Sequence, residues 1–322
     1  MLELYPLLMR PSYKDYLWGG QKLRTFYGKN DGPETIAESW ELADHIDGNS
    51  KVANGHLKGK TIEELGKMEH DRIWGKSCGN NKFPIIVKLI DAKEKLSVQV
   101  HPSEECCVVQ NCEEAKAELW YIVECERDSF IYLGLKKDVS RAELMKAITD
   151  NTICELLNKV YVNRGDVYFV NPCTIHAIGA GIMVAEIQQN SNTTFRLYDY
   201  NRKDTNGNYR KLHLDRALDI VDLSPTVPSK CRNIGSMSFD GFKMIEMYTG
   251  KPFKAYKVVV SKEIALCCDG SAFHHILCVG GNGHVEHNGR SYEMEKGLSY
   301  LMPAELGEYK IIGNCEVLLS KI

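Results

Sequence analysis

A run of short strand-like segments between residues 83 and 198 constrains the fold of this chain more than any other feature. The segments are rich in valine, isoleucine, leucine and aromatic residues, and glycine, asparagine or proline separates them. They cover residues 83–90, 95–101, 119–123, 130–133, 167–172, 183–188 and 193–198. Short strands at such close spacing are typical of an antiparallel barrel or sandwich. The sequence therefore predicts a mainly β fold.

Helices are predicted to be few and short. Thr61 with Glu64, and Ser140 with Glu143, have the spacing of a capping box, in which the two side chains satisfy backbone donors at a helix start. A third helix is indicated before the polar segment that follows residue 220. The predicted helices cover about 62–69, 141–158 and 212–220.

A second strand-rich stretch follows residue 240. Residues 222–240 contain prolines and polar residues, which indicates a linker. Gly297 to Pro303 then repeats the order found from Gly165 to Pro172, in which a glycine turn, a short apolar strand and a proline follow one another. This weak repeat predicts two related β-barrels. We place one domain at 1–225, with short helical insertions, and the other at 240–322.

Charge and cysteine content limit the kinds of partner. A formal net charge of −3 gives no broad cationic field, which argues against nucleic acid or anionic lipid as a partner. No apolar run approaches the roughly 20 residues that span a membrane. The twelve cysteines include no Cys-x-x-Cys pair, and the closest group is Cys106, Cys107 and Cys112. With no secretory signal visible, we expect free thiols in a reducing cytoplasm.

Four polar side chains near strand ends form a candidate metal site. Gln99 and His101 lie two residues apart on one predicted strand and therefore share a face. Glu118 begins another strand, and His176 follows the end of a third. Two imidazoles, a carboxylate and an amide oxygen suit zinc or another divalent first-row metal. The alternative is that each residue only ends a strand at the surface.

These residues fall within two motifs that resemble those of the cupin superfamily, whose jelly-roll barrels would make the fold two cupin-type β-barrels. The first motif is matched by Gln99, His101, Glu118 and Gly134, and the second by Gly165, Pro172 and His176. Further segments resemble type I mannose-6-phosphate isomerases, in particular their short bacterial form. They are 18–24 (WGGQKLR), 37–44 (AESWELAD), 97–102 (SVQVHP), 116–120 (KAELW), 186–189 (EIQQ) and 196–202 (RLYDYNR).

The resemblance implies a zinc enzyme that interconverts mannose 6-phosphate and fructose 6-phosphate through an enediol. One zinc per chain would be bound by Gln99, His101, Glu118 and His176. Arg196 and Lys116 would be catalytic, and Ser97 and Lys88 would contact the substrate near its phosphate. The sugar phosphate is the expected partner, and the sequence does not predict an oligomeric state. The alternative reading of Lys88 is a strand-edge lysine whose stem reaches water.

One position departs from the family pattern. The family often has aspartate four residues before the arginine, and here that residue is Asn192. An asparagine cannot carry a proton as a carboxylate does, so two rivals stay open: an isomerase for another sugar phosphate, and a non-catalytic cupin that binds sugar phosphate. In the second barrel, His284, Glu286 and His287 cluster, but no matching histidine follows Pro303. We expect that barrel to lack a metal site.

Overall fold

The structure, a computed structural model, describes residues 2–79, 82–110, 114–204, 206–231 and 235–322. Its strands are β1 (Leu7–Arg10), β2 (Ser12–Lys14), β3 (Glu38–Leu42), β4 (Asp44–His45), β5 (Gly48–Asn49), β6 (Lys51–Val52), β7 (Ile85–Ala92), β8 (Val98–Val100), β9 (Glu118–Cys125), β10 (Phe130–Leu135), β11 (Leu157–Tyr161), β12 (Val167–Val170), β13 (His176–Ile178), β14 (Ile182–Gln189), β15 (Phe195–Tyr198), β16 (Gly235–Phe239), β17 (Phe242–Thr249), β18 (Lys254–Val260), β19 (Glu263–Cys268), β20 (His274–His287), β21 (Arg290–Glu295), β22 (Ser299–Met302) and β23 (Gly307–Lys321). Its helices are α1 (Lys22–Tyr27), α2 (Ile62–Ile73), α3 (Glu104–Gln110), α4 (Arg141–Thr149), α5 (Ile153–Leu156) and α6 (Leu214–Ile220), with a 3-10 turn at Lys76–Cys78. The prediction of a mainly β protein with few helices is confirmed.

Three antiparallel sheets form successive layers. The middle sheet has six strands in the order β12-β9-β14-β7-β3-β2, and a five-stranded sheet, β11-β10-β13-β8-β15, covers one of its faces. Ile90 and Trp120 of the middle sheet pack with Ile131 and Ile178 of the five-stranded sheet in one apolar core. The opposite face of the middle sheet packs on the ten-stranded sheet that contains the C-terminal strands.

Alternation along β7 shows why the middle sheet is buried on both faces. Val87 and Leu89 contribute to the core beneath the ten-stranded sheet, whereas Ile90 points to the five-stranded sheet. Successive side chains of a strand point to opposite faces, so a strand buried on both faces is apolar almost throughout. Lys88 and Asp91 are the two charged residues of β7, and both are buried. Lys88 alternates with Leu89 and shares the face of Ile90, which meets the five-stranded sheet.

The ten-stranded sheet joins the two ends of the chain. Its path runs β16-β17-β18-β23-β20-β22-β1-β6, with β19 paired to β23 and β21 paired to β20. The N-terminal strand β1 pairs antiparallel with β22, in a register that places Leu7 opposite Leu301. The first strand of the chain therefore completes a sheet made mostly from the last ninety residues.

The predicted glycine repeat has the same backbone form at both places. Gly165 and Gly297 have φ values of 89° and 93°, a left-handed region that side chains with a Cβ rarely adopt. Each glycine is followed by a short strand, β12 or β22, and then by a proline. At Gly297 a Cβ atom would also lie 2.3 Å from the carbonyl oxygen of Tyr27.

Three of the predicted segments were wrong in extent. The helix predicted over 141–158 begins at Arg141 with the expected capping box but ends at Thr149, where Asn151 takes a left-handed φ of 61°. The chain resumes as the short helix α5 and then as strand β11. The helix predicted over 62–69 continues to Ile73 through a non-helical Glu69. The predicted linker 222–240 includes strand β16.

Within the described residues, no helix is both long enough and apolar enough to cross a membrane. Apart from Cys107, the cysteines of those residues are free thiols. Cys112, which belongs to the cysteine group noted in the sequence, lies outside the described residues.

Candidate functional site

A cavity of about 320 Å³ lies between the six-stranded and five-stranded sheets. Six of the eight residues predicted for the site line it: Lys88, Ser97, Gln99, Lys116, Glu118 and Arg196. The other two, His101 and His176, are fully buried and contact Glu118. The structure therefore brings all eight predicted site residues to one place.

Strand pairing explains how distant parts of the sequence meet here. β8 lies between β13 and β15, and Gln99 stands opposite His176 on one side and Arg196 on the other. Glu118 enters from the facing sheet, where it begins β9. The candidate metal donors therefore come from both layers of the sandwich, and the packing of the two sheets fixes their separation.

The nitrogen and oxygen donors of His101, Glu118 and His176 all lie within 4.8 Å of one another. His101 Nε2 is 3.1 Å from Glu118 Oε1 and 3.1 Å from His176 Nε2. Gln99 Nε2 is 3.4 Å from His176 Nε2, and reversal of the amide presents its oxygen to the same point. Among the described residues, no other trio of histidine, cysteine or acidic side chains converges in this way.

The hydrogen bonds of the two histidines fix which ring nitrogen is free. His101 Nδ1 lies 2.8 Å from the carbonyl oxygen of Thr193, and His176 Nδ1 lies 2.9 Å from that of Thr174. A carbonyl oxygen only accepts, so each Nδ1 carries the proton and each Nε2 presents a lone pair to the cluster. Histidines whose second ring nitrogen donates a hydrogen bond to a backbone carbonyl are typical metal ligands.

The protonation states of His101, His176 and Glu118 also suit the binding of a cation. Burial lowers the pKa of His101 to about 3, and burial likewise lowers the pKa of His176. Burial opposes ionisation of Glu118, but the neighbouring Lys116 ammonium group outweighs it and holds the pKa of this carboxyl well below its usual range. Neutral imidazoles and a carboxylate are the forms that bind a divalent metal.

Lys116 links the donor cluster to the cavity. Its Nζ lies 2.6 Å from Glu118 Oε1 and 3.4 Å from His101 Nε2, and the side chain is buried. Glu118 Oε1 is buried too, and no hydrogen bond of good geometry reaches it from the described residues, so its contact with Lys116 is an ion pair. An atom with this remaining accepting capacity fits a metal ligand.

A second cluster of charged side chains, made of Lys88, Glu38 and Glu186, lies beside the metal-donor cluster. Trp120 Nε1 lies within hydrogen-bond distance of both Glu118 Oε2, at 3.1 Å, and Glu186 Oε2, at 2.9 Å. Lys88 Nζ lies 3.4 Å from Glu186 and 3.5 Å from Glu38, so protein carboxylates supply the anions that a buried lysine requires. Burial, and repulsion from Glu118, raise the pKa of Glu186 to about 7.

Arg196 provides another cation at the wall of the cavity. Its Nε donates to Ser97 Oγ at 3.1 Å, and one of its terminal nitrogens donates to the carbonyl oxygen of Lys211. Burial, together with repulsion from Arg210, lowers the pKa of Arg196 to about 10. Two guanidinium groups that repel each other at a cavity wall favour binding of an anion.

The residue that departs from the family pattern also lines the cavity. The side-chain amide of Asn192 donates to the Asp47 carboxylate at 2.7 Å. A carboxylate is therefore held one hydrogen bond away from the place where the family often has aspartate. This pairing could not be read from the sequence, because the two residues are 145 positions apart.

The polar cavity residues that were missed as site residues from the sequence include Glu38, Trp120, Glu186 and Arg210. Period-two alternation was a usable signal for Trp120, which shares a strand face with Glu118. Glu186 stands opposite Lys88 and Trp120 in neighbouring strands, which only the register reveals. Nothing in the sequence around Glu38 placed its strand beside β7.

Comparison with known proteins adds independent information. Residues 7–114 match the family described as phosphomannose isomerase type I, catalytic domain, and residues 244–322 match the mannose-6-phosphate isomerase cupin domain. The Bacillus subtilis mannose-6-phosphate isomerase ManA is 35% identical over 318 residues, covering 98% of this chain and 99% of the relative. The probable mannose-6-phosphate isomerase GmuF of the same organism is 34% identical over 321 residues, covering 98% of this chain and 99% of the relative. A crystal structure of the Bacillus subtilis mannose 6-phosphate isomerase superposes with a TM-score of 0.90 at 31% identity, and covers 98% of this chain and 99% of that one.

Proposed function

Because this chain belongs to the type I phosphomannose isomerase family, we propose that it interconverts mannose 6-phosphate and fructose 6-phosphate. The observation that carries the proposal is the convergence of His101, Glu118 and His176 at the wall of a cavity that also holds Lys116 and Arg196. The reaction moves a proton between C1 and C2 of the sugar through an enediol. It requires a polarised carbonyl oxygen, a proton carrier and an anchor for phosphate.

The metal we propose is one zinc ion, held by Gln99, His101, Glu118 and His176. Two imidazoles, one carboxylate and one amide oxygen leave room for a substrate oxygen or water at a zinc site. When bound, the ion supplies a Lewis acid that polarises a carbonyl oxygen. The free Nε2 lone pairs and the ionised Glu118 support this assignment.

We place the proton carrier on Lys116. Its Nζ lies beside the donor cluster and at the cavity wall, within reach of a sugar whose C1 and C2 face the cluster. The ammonium form donates to a sugar oxygen, and the amine form accepts a proton from carbon. Glu118 lies 2.6 Å away and orients the ammonium group toward the cavity.

The phosphate would bind on the side of Arg196. Ser97 donates or accepts a hydrogen bond there, and Arg210 adds a second positive charge. Lys88 is already flanked by Glu38 and Glu186, so we assign it to a substrate oxygen deeper in the cavity, adjacent to the phosphate subsite. An arginine suits phosphate because its planar donors match two phosphate oxygens.

For the organisation of the chain, we propose two jelly-roll barrels of the cupin type. The catalytic barrel is assigned to 1–225, and the C-terminal barrel at 240–322 is assigned no metal. The repeated glycine–strand–proline segments support this division, although β1 is shared with the C-terminal sheet. The free thiols of the described residues support a cytoplasmic location.

Coupled assays of the zinc-loaded protein test the proposal. We expect turnover of mannose 6-phosphate and little turnover of glucose 6-phosphate at equal concentration. Asn192 favours one alternative, a protein that binds sugar phosphate without isomerising it. Tight binding of mannose 6-phosphate by the zinc-loaded protein, without turnover of either sugar, would support that alternative and refute the isomerase.

A further inference from the structure

Two cysteine thiols face each other beside the metal-donor cluster. Cys106 Sγ and Cys173 Sγ are 3.7 Å apart, and both side chains are partly buried against the same apolar cluster. We propose that Cys106 and Cys173 form a reversible disulfide when a hydroperoxide oxidises the protein. The disulfide itself does not depend on the proposed isomerase activity, whereas its effect on catalysis rests on that activity.

The backbone around Cys173 holds its thiol in this position. The Cys173 N–H donates to the carbonyl oxygen of His101 at 2.7 Å, and the Cys173 carbonyl accepts from the Asp222 N–H at 2.8 Å. Cys173 has a φ of 67°, which a residue with a side chain adopts only where its surroundings impose it. The thiol is therefore presented to Cys106 by a fixed turn.

The partner thiol is placed by the start of α3. The Cys106 N–H donates to Ser103 Oγ at 3.2 Å. A disulfide requires a sulfur–sulfur distance of about 2.0 Å, so the two atoms must approach by about 1.7 Å. Rotation of the Cys106 side chain, a small shift of the short helix α3 and a small displacement of the turn at Cys173 together supply a movement of this size.

Cys106 is more readily ionised than the buried cysteines of the C-terminal core, which suits a reaction that begins at this thiol. Burial opposes ionisation of Cys106, but hydrogen bonds from Ser103 and Cys173 outweigh it and lower the pKa of Cys106. By contrast, burial raises the pKa of Cys278 and Cys268 to about 12 in the C-terminal core. The thiolate is the nucleophile, so oxidation is expected to begin at Cys106.

The chemistry takes two steps. The Cys106 thiolate attacks one peroxide oxygen, the O–O bond breaks, and the sulfur becomes a sulfenic acid while hydroxide or alkoxide leaves. Cys173 sulfur then attacks Cys106 sulfur, the S–O bond breaks, and water leaves as the S–S bond forms. Two thiols are oxidised by two electrons in total, and one hydroperoxide is reduced. A thiol reductant reverses the bond by exchange.

The bridge would act on the metal donors through the segment that contains Cys173. This segment touches both histidine ligands, because Cys173 binds the His101 carbonyl and the Thr174 carbonyl accepts from His176 Nδ1. Drawing Cys173 toward Cys106 shifts the carbonyl that orients the His176 ring. Loss of such an orienting contact typically costs 10- to 100-fold in metal affinity or activity.

The test uses the full-length, zinc-loaded protein treated with a small excess of hydrogen peroxide. Peptide mapping should recover a Cys106–Cys173 crosslink, with a loss of about 2 Da from the intact mass that dithiothreitol restores. Zinc transfer to a chromogenic chelator should become roughly tenfold faster on oxidation and slow again on reduction. Cys106→Ser and Cys173→Ser should each abolish both changes, whereas Cys231→Ser, at another partly buried cysteine, should leave them intact.

The outcomes separate this proposal from the proposed function. The crosslink and the zinc transfer are read without any isomerase assay, so an inactive protein still tests them. Over-oxidation of Cys106 without a crosslink, or a crosslink to Cys107 or another cysteine, would overturn the proposal. A Cys106–Cys173 bond with unchanged zinc transfer in both redox states would overturn its effect on the metal centre.

Discussion

His101 and His176 bring their Nε2 atoms to 3.1 Å from each other, although neither nitrogen has a proton to share. Both protons are on Nδ1, where the carbonyl oxygens of Thr193 and Thr174 accept them. Two facing lone pairs repel unless a cation lies between or beside them. The backbone therefore holds the two rings in an arrangement that is stabilised when the metal binds.

Removal of either ring should remove the metal. We expect His101→Ala and His176→Ala each to lose about one zinc per chain, as measured by elemental analysis after dialysis at fixed free zinc. His284→Ala, in strand β20 of the ten-stranded sheet, is the matched control and should keep its zinc. Unchanged zinc content in both ligand variants would refute the ligand set.

The Lys116 side chain should matter for catalysis more than for zinc binding. Lys116→Met removes the proposed proton carrier, and we expect kcat to fall by about 10²- to 10⁴-fold. The KM for mannose 6-phosphate should change much less, and zinc content should remain at the wild-type level. Exchange of the C2 proton with solvent gives a direct measure of the lost step. A variant with near-normal kcat would exclude Lys116 as the carrier.

The sequence allowed most of the middle and five-stranded sheets to be predicted, because their strands are short, apolar and bounded by glycine or proline. It did not reveal that β1 closes the C-terminal sheet opposite β22, since the four-residue strand from Leu7 carries no information about a partner almost 300 positions away. The break after Thr149 was hidden for a similar reason. The capping box at Ser140 defines where a helix starts, but its end depends on the local backbone at Asn151.

Prediction of the site residues from the sequence was limited in the same way. Gln99 and His101 could be paired from strand alternation alone, and the remaining donors came from the family resemblance. Glu186 and Glu38 could not be placed, because they reach Lys88 only through the register of three neighbouring strands. The Asn192–Asp47 contact depends on loops, and the Cys106–Cys173 contact joins helix α3 to a turn. No sequence periodicity encodes either geometry.

Arg196 should contribute to recognition of the phosphate group. Arg196→Lys keeps the charge but loses the planar pair of donors, so we expect KM for mannose 6-phosphate to rise by roughly tenfold or more. The comparison substrate is unphosphorylated mannose at high concentration. The variant should lose little of its activity toward this sugar. Equal losses for the two sugars would show that Arg196 acts on the ring or on the reacting carbons instead.

A second carboxylate beside Asp47 should make the enzyme sensitive to pH. In Asn192→Asp, two carboxylates lie at hydrogen-bond distance and repel each other unless they share a proton. We expect activity to fall more at pH 8 than at pH 6, where the shared proton restores the contact. The double variant Asn192→Asp with Asp47→Asn reverses the pair and should recover a flat profile. A loss that the second change does not reverse would contradict this account.

His275 should make the C-terminal sheet sensitive to acid. The ring is fully buried, its Nε2 lies 3.0 Å from Ser299 Oγ, and burial lowers its pKa to about 3. Because the unfolded histidine binds a proton near pH 6.5, the unfolded state takes up protons first as the pH falls. The neutral ring therefore contributes full stability above about pH 6.5, and this contribution declines progressively toward the folded pKa, by about 1.4 kcal/mol per pH unit.

His275→Gln keeps a partner for Ser299 but does not titrate, so the slope of its unfolding free energy between pH 6 and pH 4 should be smaller by about that amount. Urea unfolding at several pH values gives the measurement, with His56→Gln at an exposed histidine as the control. If His275→Gln and His56→Gln show the same slope as the wild type, protonation of His275 does not limit the acid stability of this sheet.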